Sequence, residues 1–355
     1  MRSAVIALTK NGTELALRLG RALDADIYAK GEWLARSPAR ESGRIHPFVI
    51  DFRETVKQIF FDYEAIVFIM ACGIVVRSIA PYLKDKRSDP AVVVVDEVGR
   101  FAISLLSGHI GGANRLAEKV AAILEGTAVI TTATDINGVV AFDELAAANG
   151  CRIENIEDLK SISSELVNGG RVSFFCDGGT AGSLPPNIDP YSDGAAHKLA
   201  VVVTNSLEIP VRAEKILWLR PANLTLGLGC RKGKTKGEIE EAIRAFLQRH
   251  GKSILSVRCV ASIALKAGEP GIVEFCKERG IPFRTFTAAE IAAVEDRFSG
   301  SEFVRTITGV GSVAEACAAL AAANGKLIVP KTIGDGITLA LAETEQRFTF
   351  AVDTL

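Results

Sequence analysis

The feature that most limits how this chain can fold is an alternation of two hydrophobic patterns. Short β-branched runs, such as Ala65–Ile69 and residues 92–95, alternate with Ala- and Leu-rich stretches of helical spacing. Such a chain builds parallel sheets with helices packed against them. Residues 4–8 read as a strand, Asn11-Gly12 as a turn, and Leu15, Leu19 and Leu23 as one apolar helical stripe. Residues 30–50 show no strong period. The strand at 65–69 leads through a turn at Gly73 to a short helix that stops at Pro81. A charged loop, 84–90, precedes the strand at 92–95, and residues 96–99 form a hairpin turn into Phe101–Leu106. A glycine-rich loop, 107–112, feeds a helix over 113–124, and a strand at 128–132 ends in Thr134-Asp135.

Beyond this point the signals weaken. Helices are expected at 143–149 and 156–167 and strands at 171–176 and 199–204. The stretch 177–198, dense in Gly, Pro, Ser and Asp, reads as an exposed loop or linker. A second α/β block begins with the strand 224–229 and has helices at 236–249, 270–279 and 312–323. Ser312 with Glu315, and Thr287 with Glu290, fit the spacing of helix capping boxes. The expected fold class is α/β, with two three-layer α/β/α modules of mainly parallel sheets joined by a smaller middle region. The expected divisions are 1–137, 138–220 and 221–355. A length of 355 residues suits two or three domains.

Charge excludes some functions. Lys+Arg 41 against Asp+Glu 42 leaves a net charge of -1, which argues against a general binder of nucleic acid or acidic membranes. Aromatic residues are 6% and mostly Phe, so base-stacking platforms are not expected. The seven cysteines are scattered without C-x-x-C spacing and read as reduced cytosolic thiols, not as a zinc site or disulfide frame. The longest apolar stretch, 65–76, falls short of the roughly 20 residues of a membrane span. A cytoplasmic protein is expected.

Several chemistries fail on spacing. No serine has glycine two places away on both sides, so there is no nucleophile elbow. H-E-x-x-H is absent, and the glycines at 108, 111 and 112 miss the dinucleotide-loop interval. Gly229 to Thr235 ends in G-K-T like a phosphate-binding loop, yet Leu228 stands where that motif needs glycine. Cys230, beside Arg231 and Lys232, could be an activated thiolate, although a cysteine at a strand end more often packs inertly.

Three constellations carry chemistry. Ser107 to Asn114, with Gly108, His109, Gly111 and Gly112, offers backbone amides at a helix N-terminus and glycines that let a ligand approach. Thr131, Thr132, Thr134 and Asp135 stand at the carboxyl end of a strand, on the sheet edge shared with the 107 loop. The third is the charged loop from Arg77 to Asp89, with Lys84 and Lys86. Each has a plain structural reading beside the functional one: a tight turn, helix capping and a solvated loop.

These residues resemble the CbiG family, the cobalt-precorrin-5A hydrolases of anaerobic cobalamin synthesis. The resemblance rests on Gly73-Ile74-Val75-Val76-Arg77, on Lys84-Asp85-Lys86 with Asp89-Pro90-Ala91-Val92, on Leu105 through Asn114, and on Val129 through Asp135. In the second block it rests on Gly227 through Gly233, Lys266 with Glu269-Pro270-Gly271, Thr308 through Ala316, and Pro330-Lys331-Thr332. Ala264 is one departure, where the resemblance leads one to expect an acidic residue.

The resemblance implies that water opens a δ-lactone on a cobalt-bound corrin precursor and that a two-carbon fragment leaves as acetaldehyde. It implies no protein cofactor or metal, because cobalt arrives in the substrate. The chemistry asks for a base, donors to an oxyanion, and an acid/base for carbon–carbon cleavage. His109 is the candidate proton carrier, and Asp96, Glu97 and Asp135 are the candidate carboxylates. A polycarboxylate substrate calls for cations. Arg77, Lys84, Lys86, Arg231, Lys232 and Lys266 are those candidates, with Gly73, Cys230 and the loop residues named above completing the expected substrate-binding set. Neighbouring enzymes of the cobalamin pathway remain open as partners, while nucleic acid and membrane are not expected ones. A non-catalytic corrinoid hand-over protein is the alternative reading, with a nucleotide hydrolase behind it.

Overall fold

The all-buried runs AIVFI and AVVVV become the two central strands of the first sheet, where residues apolar on both faces are sandwiched between helices. The computed structural model describes residues 2–34, 44–48, 51–85, 88–109, 111–133, 137–323 and 325–351. Lys86, Thr134 and Asp135 lie outside these described residues. The chain divides into two compact units, Met1–Glu144 and Leu145–Leu355.

Among the described residues of the first unit, seven strands form one sheet in the order β3-β2-β1-β4-β5-β6-β7. They are β1 (Ser3–Ala7), β2 (Asp26–Ala29), β3 (Ile45–Pro47), β4 (Ala65–Ile69), β5 (Ala91–Val95), β6 (Phe101–Leu106) and β7 (Thr127–Val129). Strands β1 to β5 run parallel, β6 is antiparallel to β5, and β7 is parallel to β6. Helices Lys10–Leu23 and Ala113–Leu124 cover one face through Leu19, Leu116 and Val120. Helices Phe52–Asp62 and Cys72–Ile79 cover the other through Val56, Ile59, Phe60 and Val75. The β5–β6 reversal gives this sheet two carboxyl edges. One follows β1, β4 and β5; the opposite one follows β6 and β7. Five residues at about 3.3 Å each put the two edges roughly 17 Å apart.

Among its described residues the second unit carries two larger sheets. The middle one contains β8 (Cys151–Ile153), β9 (Val172–Cys176), β11 (Ile188–Pro190), β12 (Leu199–Val203) and β13 (Lys215–Pro221), in the order β11-β9-β12-β13-β8. The other contains β14 (Leu224–Cys230), β15 (Val257–Ile263), β16 (Phe283–Phe286), β17 (Lys326–Gly334) and β18 (Ile337–Glu343), in the order β16-β15-β14-β18-β17. Strands β14, β15 and β16 are mutually parallel, and β18 runs antiparallel to β14 and β17. Two short strands, β10 (Thr180–Ala181) and β19 (Phe348–Thr349), pair separately.

Some expectations need correcting. Asn11 and Gly12 do not turn the chain; they lie in the first turn of the helix Lys10–Leu23, where Thr9 accepts the Gly12 amide. Residues 177–198 are not only a loop, because they supply β10 and β11, and Asp189 of β11 is ion-paired with Arg171 beside β9. Strands this short lack the length for a visible period. Ser312 and Glu315 do not form a capping box. The helix Ala314–Ala322 starts after Val313, one position later than that box requires, and its first turn has no side-chain cap. Glu315 instead joins Ser312 Oγ (3.1 Å) to the Lys331 amide (3.1 Å), tying the helix to β17. Thr287 and Glu290 do form a capping box. No helix among the described residues is long and apolar enough to cross a membrane.

Candidate active site

At the carboxyl end of β6 the chain reverses through Ser107, whose φ is +57°. The turn closes so tightly that a Cβ on Gly111 would sit 2.3 Å from Ser107 Cβ, and one on Gly108 would sit 2.7 Å from Asn114 Oδ1. The Gly111 contact, which includes the Ser107 carbonyl oxygen at 2.7 Å, cannot be relieved without moving the loop, so that position requires glycine. A Cβ at Gly108 would instead push the Asn114 amide off its hydrogen bonds. The turn is closed by the amides of Gly112, Ala113 and Asn114, which donate to the carbonyls of His109 (2.8 Å), Ser107 (3.1 Å) and Gly108 (3.0 Å). Those three amides, expected as anion donors, are therefore engaged within the loop itself.

Parts of the three constellations meet on this edge: the 107–114 loop, Thr131 and Thr132, and the Lys84 and Asp89 end of the charged loop. Asn114 is buried; its Oδ1 accepts from Ser104 Oγ (2.6 Å) and its Nδ2 donates to Thr132 Oγ1 (3.0 Å). That bond joins the 107–114 loop to the end of β7, where Thr131 is exposed and Thr132 half-buried. Asp89 joins the charged loop. Its carbonyl accepts from Ser107 Oγ (3.0 Å), and its buried carboxylate accepts the Lys84 amide (3.1 and 3.0 Å). An open cavity of about 690 Å³ lies here, lined by Phe61, Tyr63, Lys84, Asp89 and Gly111 among others. Lys84 Nζ stands 5.5 Å above the Phe61 ring, and the Tyr63 hydroxyl donates to Asp26 Oδ2 at 2.6 Å. Burial and that bond push the Tyr63 phenol well above its ordinary value, so it stays protonated.

His109 extends from the same loop with its side chain 21% exposed, and its Nδ1 faces Asp143 Oδ2 at 3.9 Å. Asp143 stands in the first turn of the helix Phe142–Ala148 with its side chain 8% exposed. Sequence reading missed both Tyr63 and Asp143. Neither sits at a telling interval from His109, and only the fold brings Asp143 to the imidazole.

Four expected residues lie on the opposite edge. Gly73 is the second residue of the helix Cys72–Ile79 after β4, and the Arg77 guanidinium folds back over it, 3.3 Å from where a Gly73 Cβ would be. Asp96 and Glu97 are in the β5–β6 hairpin. The Asp96 carboxylate accepts the amides of Val98 (3.0 Å) and Phe101 (2.7 Å), a turn-forming role, and Glu97 is exposed. The antiparallel hairpin separates them from His109 by the length of the strands.

In the second unit, Cys230 ends β14, Arg231 and Lys232 follow it, and Lys266 follows β15 on the same sheet edge. Burial pushes the Cys230 thiol up, the opposite of an activated thiolate. Arg231 and Lys232 are exposed. Lys266 Nζ donates to Glu269 Oε2 at 2.7 Å, and Lys234 pairs with Glu238 at 2.7 Å. Thr235 caps the following helix in a reciprocal box with Glu238, so the phosphate-loop likeness of this segment resolves into helix capping.

Comparison with known proteins matches residues 54–135 to the Cobalamin synthesis G N-terminal model, 140–221 to the Cobalamin biosynthesis central region, and 224–342 to the Cobalamin synthesis G C-terminus. The chain is 35% identical over 356 residues to the cobalt-precorrin-5A hydrolase of Salmonella typhimurium, covering 95% of this chain and 96% of that protein. It is 32% identical over 354 residues to the cobalt-precorrin-5A hydrolase of Priestia megaterium, covering 96% and 94%. It is also 33% identical over 123 residues to the protein CobE of Sinorhizobium sp, covering 34% of this chain and 80% of that one.

Proposed function

The chain belongs to the cobalt-precorrin-5A hydrolase family, and from that premise we propose that it opens the δ-lactone of cobalt-precorrin-5A and releases a two-carbon fragment as acetaldehyde, giving cobalt-precorrin-5B. The observation that carries a site for this reaction is one edge of the first unit's sheet, where the loop that bears His109 and is tied down by the Asn114–Thr132 bond also brings Gly111 to a cavity lined by Lys84 and Asp89.

Ring opening consumes one water. Its oxygen adds to the lactone carbonyl, one proton is taken up by a base, and the ring oxygen leaves as an alcohol. His109 is the base in this reading, with its proton returned to the leaving oxygen. In the second step the alcohol loses its proton, the carbon–carbon bond breaks, acetaldehyde departs, and the electron pair passes to the macrocycle. His109 takes the hydroxyl proton here too. Lys84 supplies charge to a substrate carboxylate or to the developing oxyanion. Cobalt belongs to the substrate, and the reaction proceeds in the cytoplasm.

Purified protein supplied with cobalt-precorrin-5A should release acetaldehyde in proportion to the lactone consumed. Tight binding without release would favour the alternative of a corrinoid hand-over protein.

A further inference from the structure

The two oxygens of the Asp143 carboxylate are divided between two tasks. Oδ1 accepts the Glu144 amide at 3.2 Å, which fixes the carboxyl group to the first turn of its helix. Oδ2 is directed at His109 Nδ1, 3.9 Å away. A carboxylate 8% exposed needs a reason to be kept out of water, because desolvating a charge is costly unless it is partnered. An imidazole is such a partner, and a gap of this size is common before a substrate tightens a catalytic contact.

We propose that Asp143 is the positioning residue of His109. It holds the proton on Nδ1, so that Nε2 is the basic nitrogen, and it stabilises the imidazolium formed when His109 accepts a proton. This rests on the reading of His109 as the proton carrier. The same division of labour recurs wherever a buried carboxylate orients a catalytic imidazole. No bond to substrate is asked of Asp143. Its effect on turnover passes entirely through His109.

Three measurements test this. Asp143→Asn should lower kcat by roughly 10–10²-fold with KM nearly unchanged, since cations and loop glycines still hold the substrate. In a His109→Ala background the same change should have no further effect, because there is no imidazole left to orient. In the wild-type protein, nitrogen NMR of His109 should show the proton on Nδ1, a readout that does not depend on any variant folding. The proposal is overturned if Asp143→Asn slows the His109→Ala variant by the same factor as it slows wild type. Wild-type kcat in Asp143→Asn, or an Nε2–H tautomer in the native protein, overturns it as well. Full turnover by His109→Ala is a different outcome, which removes the proton-carrier reading itself.

Discussion

The carboxylate of Glu269 occupies the crook of the glycine-bearing loop after β14, accepting the Gly233 amide at 2.7 Å. Its other oxygen accepts from Lys266 Nζ at 2.7 Å, and the side chain is only 6% exposed. In a nucleotide-binding loop this position would receive a phosphate. Here the protein fills it with its own anion, and the lysine expected to meet substrate is already paired.

The Lys266 hydrogen bond holds the Glu269 carboxyl below the usual carboxylate range. A lowered native value means that the pair stabilises the fold above the unfolded-state pKa, about 4.3. That stability is lost as pH falls through the native value. Glu269→Gln should therefore cost about 3 kcal/mol near neutral pH, as for a broken buried pair. The gap between variant and wild type in denaturant unfolding should close as pH drops below 4. A gap that stays constant into acid would contradict this account of the loop.

Asp96 is a turn residue in this structure, with two backbone amides on its carboxylate. Asp96→Ala should cost roughly 1–2 kcal/mol of stability through those lost acceptors. Per folded molecule, kcat should stay within a few-fold of wild type. Normal stability with turnover lost would return Asp96 to the chemistry.

Gly111→Ala places a methyl 2.7 Å from the Ser107 carbonyl oxygen, against backbone that cannot swing aside. The 107–112 turn should open, with the melting temperature reduced and turnover lost together. Unchanged turnover would mean that the loop is not held in this form during catalysis.

Cation changes should separate the two edges. Lys84→Ala should weaken binding of a polycarboxylate tetrapyrrole by about 1–3 kcal/mol, and added salt should weaken wild-type binding. Arg77→Ala, on the other edge and folded over Gly73, should change affinity little. The reverse ranking would move the substrate to the carboxyl ends of β4 and β5.

Much of this was legible because local pattern and tertiary role coincide. The short, β-branched apolar runs of β4 and β5 have the length and composition of buried strands, and Gly111 stands where the turn tolerates no side chain. The hairpin at 96–99 was legible too, and its consequence was available: an antiparallel β6 carries Ser107 to the far edge from Asp96. Asp143 was not legible, because nothing local marks a carboxylate whose partner lies on a distant loop. The likeness at Thr235, already weakened in the sequence by Leu228, has a plain physical source. G-K-T and a helix N-cap use the same residue types, and only the Glu238 carboxylate on the Thr235 amide (2.9 Å) tells them apart.

The most direct test of the central claim is single-turnover hydrolysis of cobalt-precorrin-5A by wild type and His109→Ala, following acetaldehyde. If the His109 edge is the active site, the variant should be slower by roughly 10²–10⁴-fold, the usual contribution of a positioned acid/base. Substrate affinity should be nearly retained. Acetaldehyde release by the variant at the wild-type rate would contradict the account.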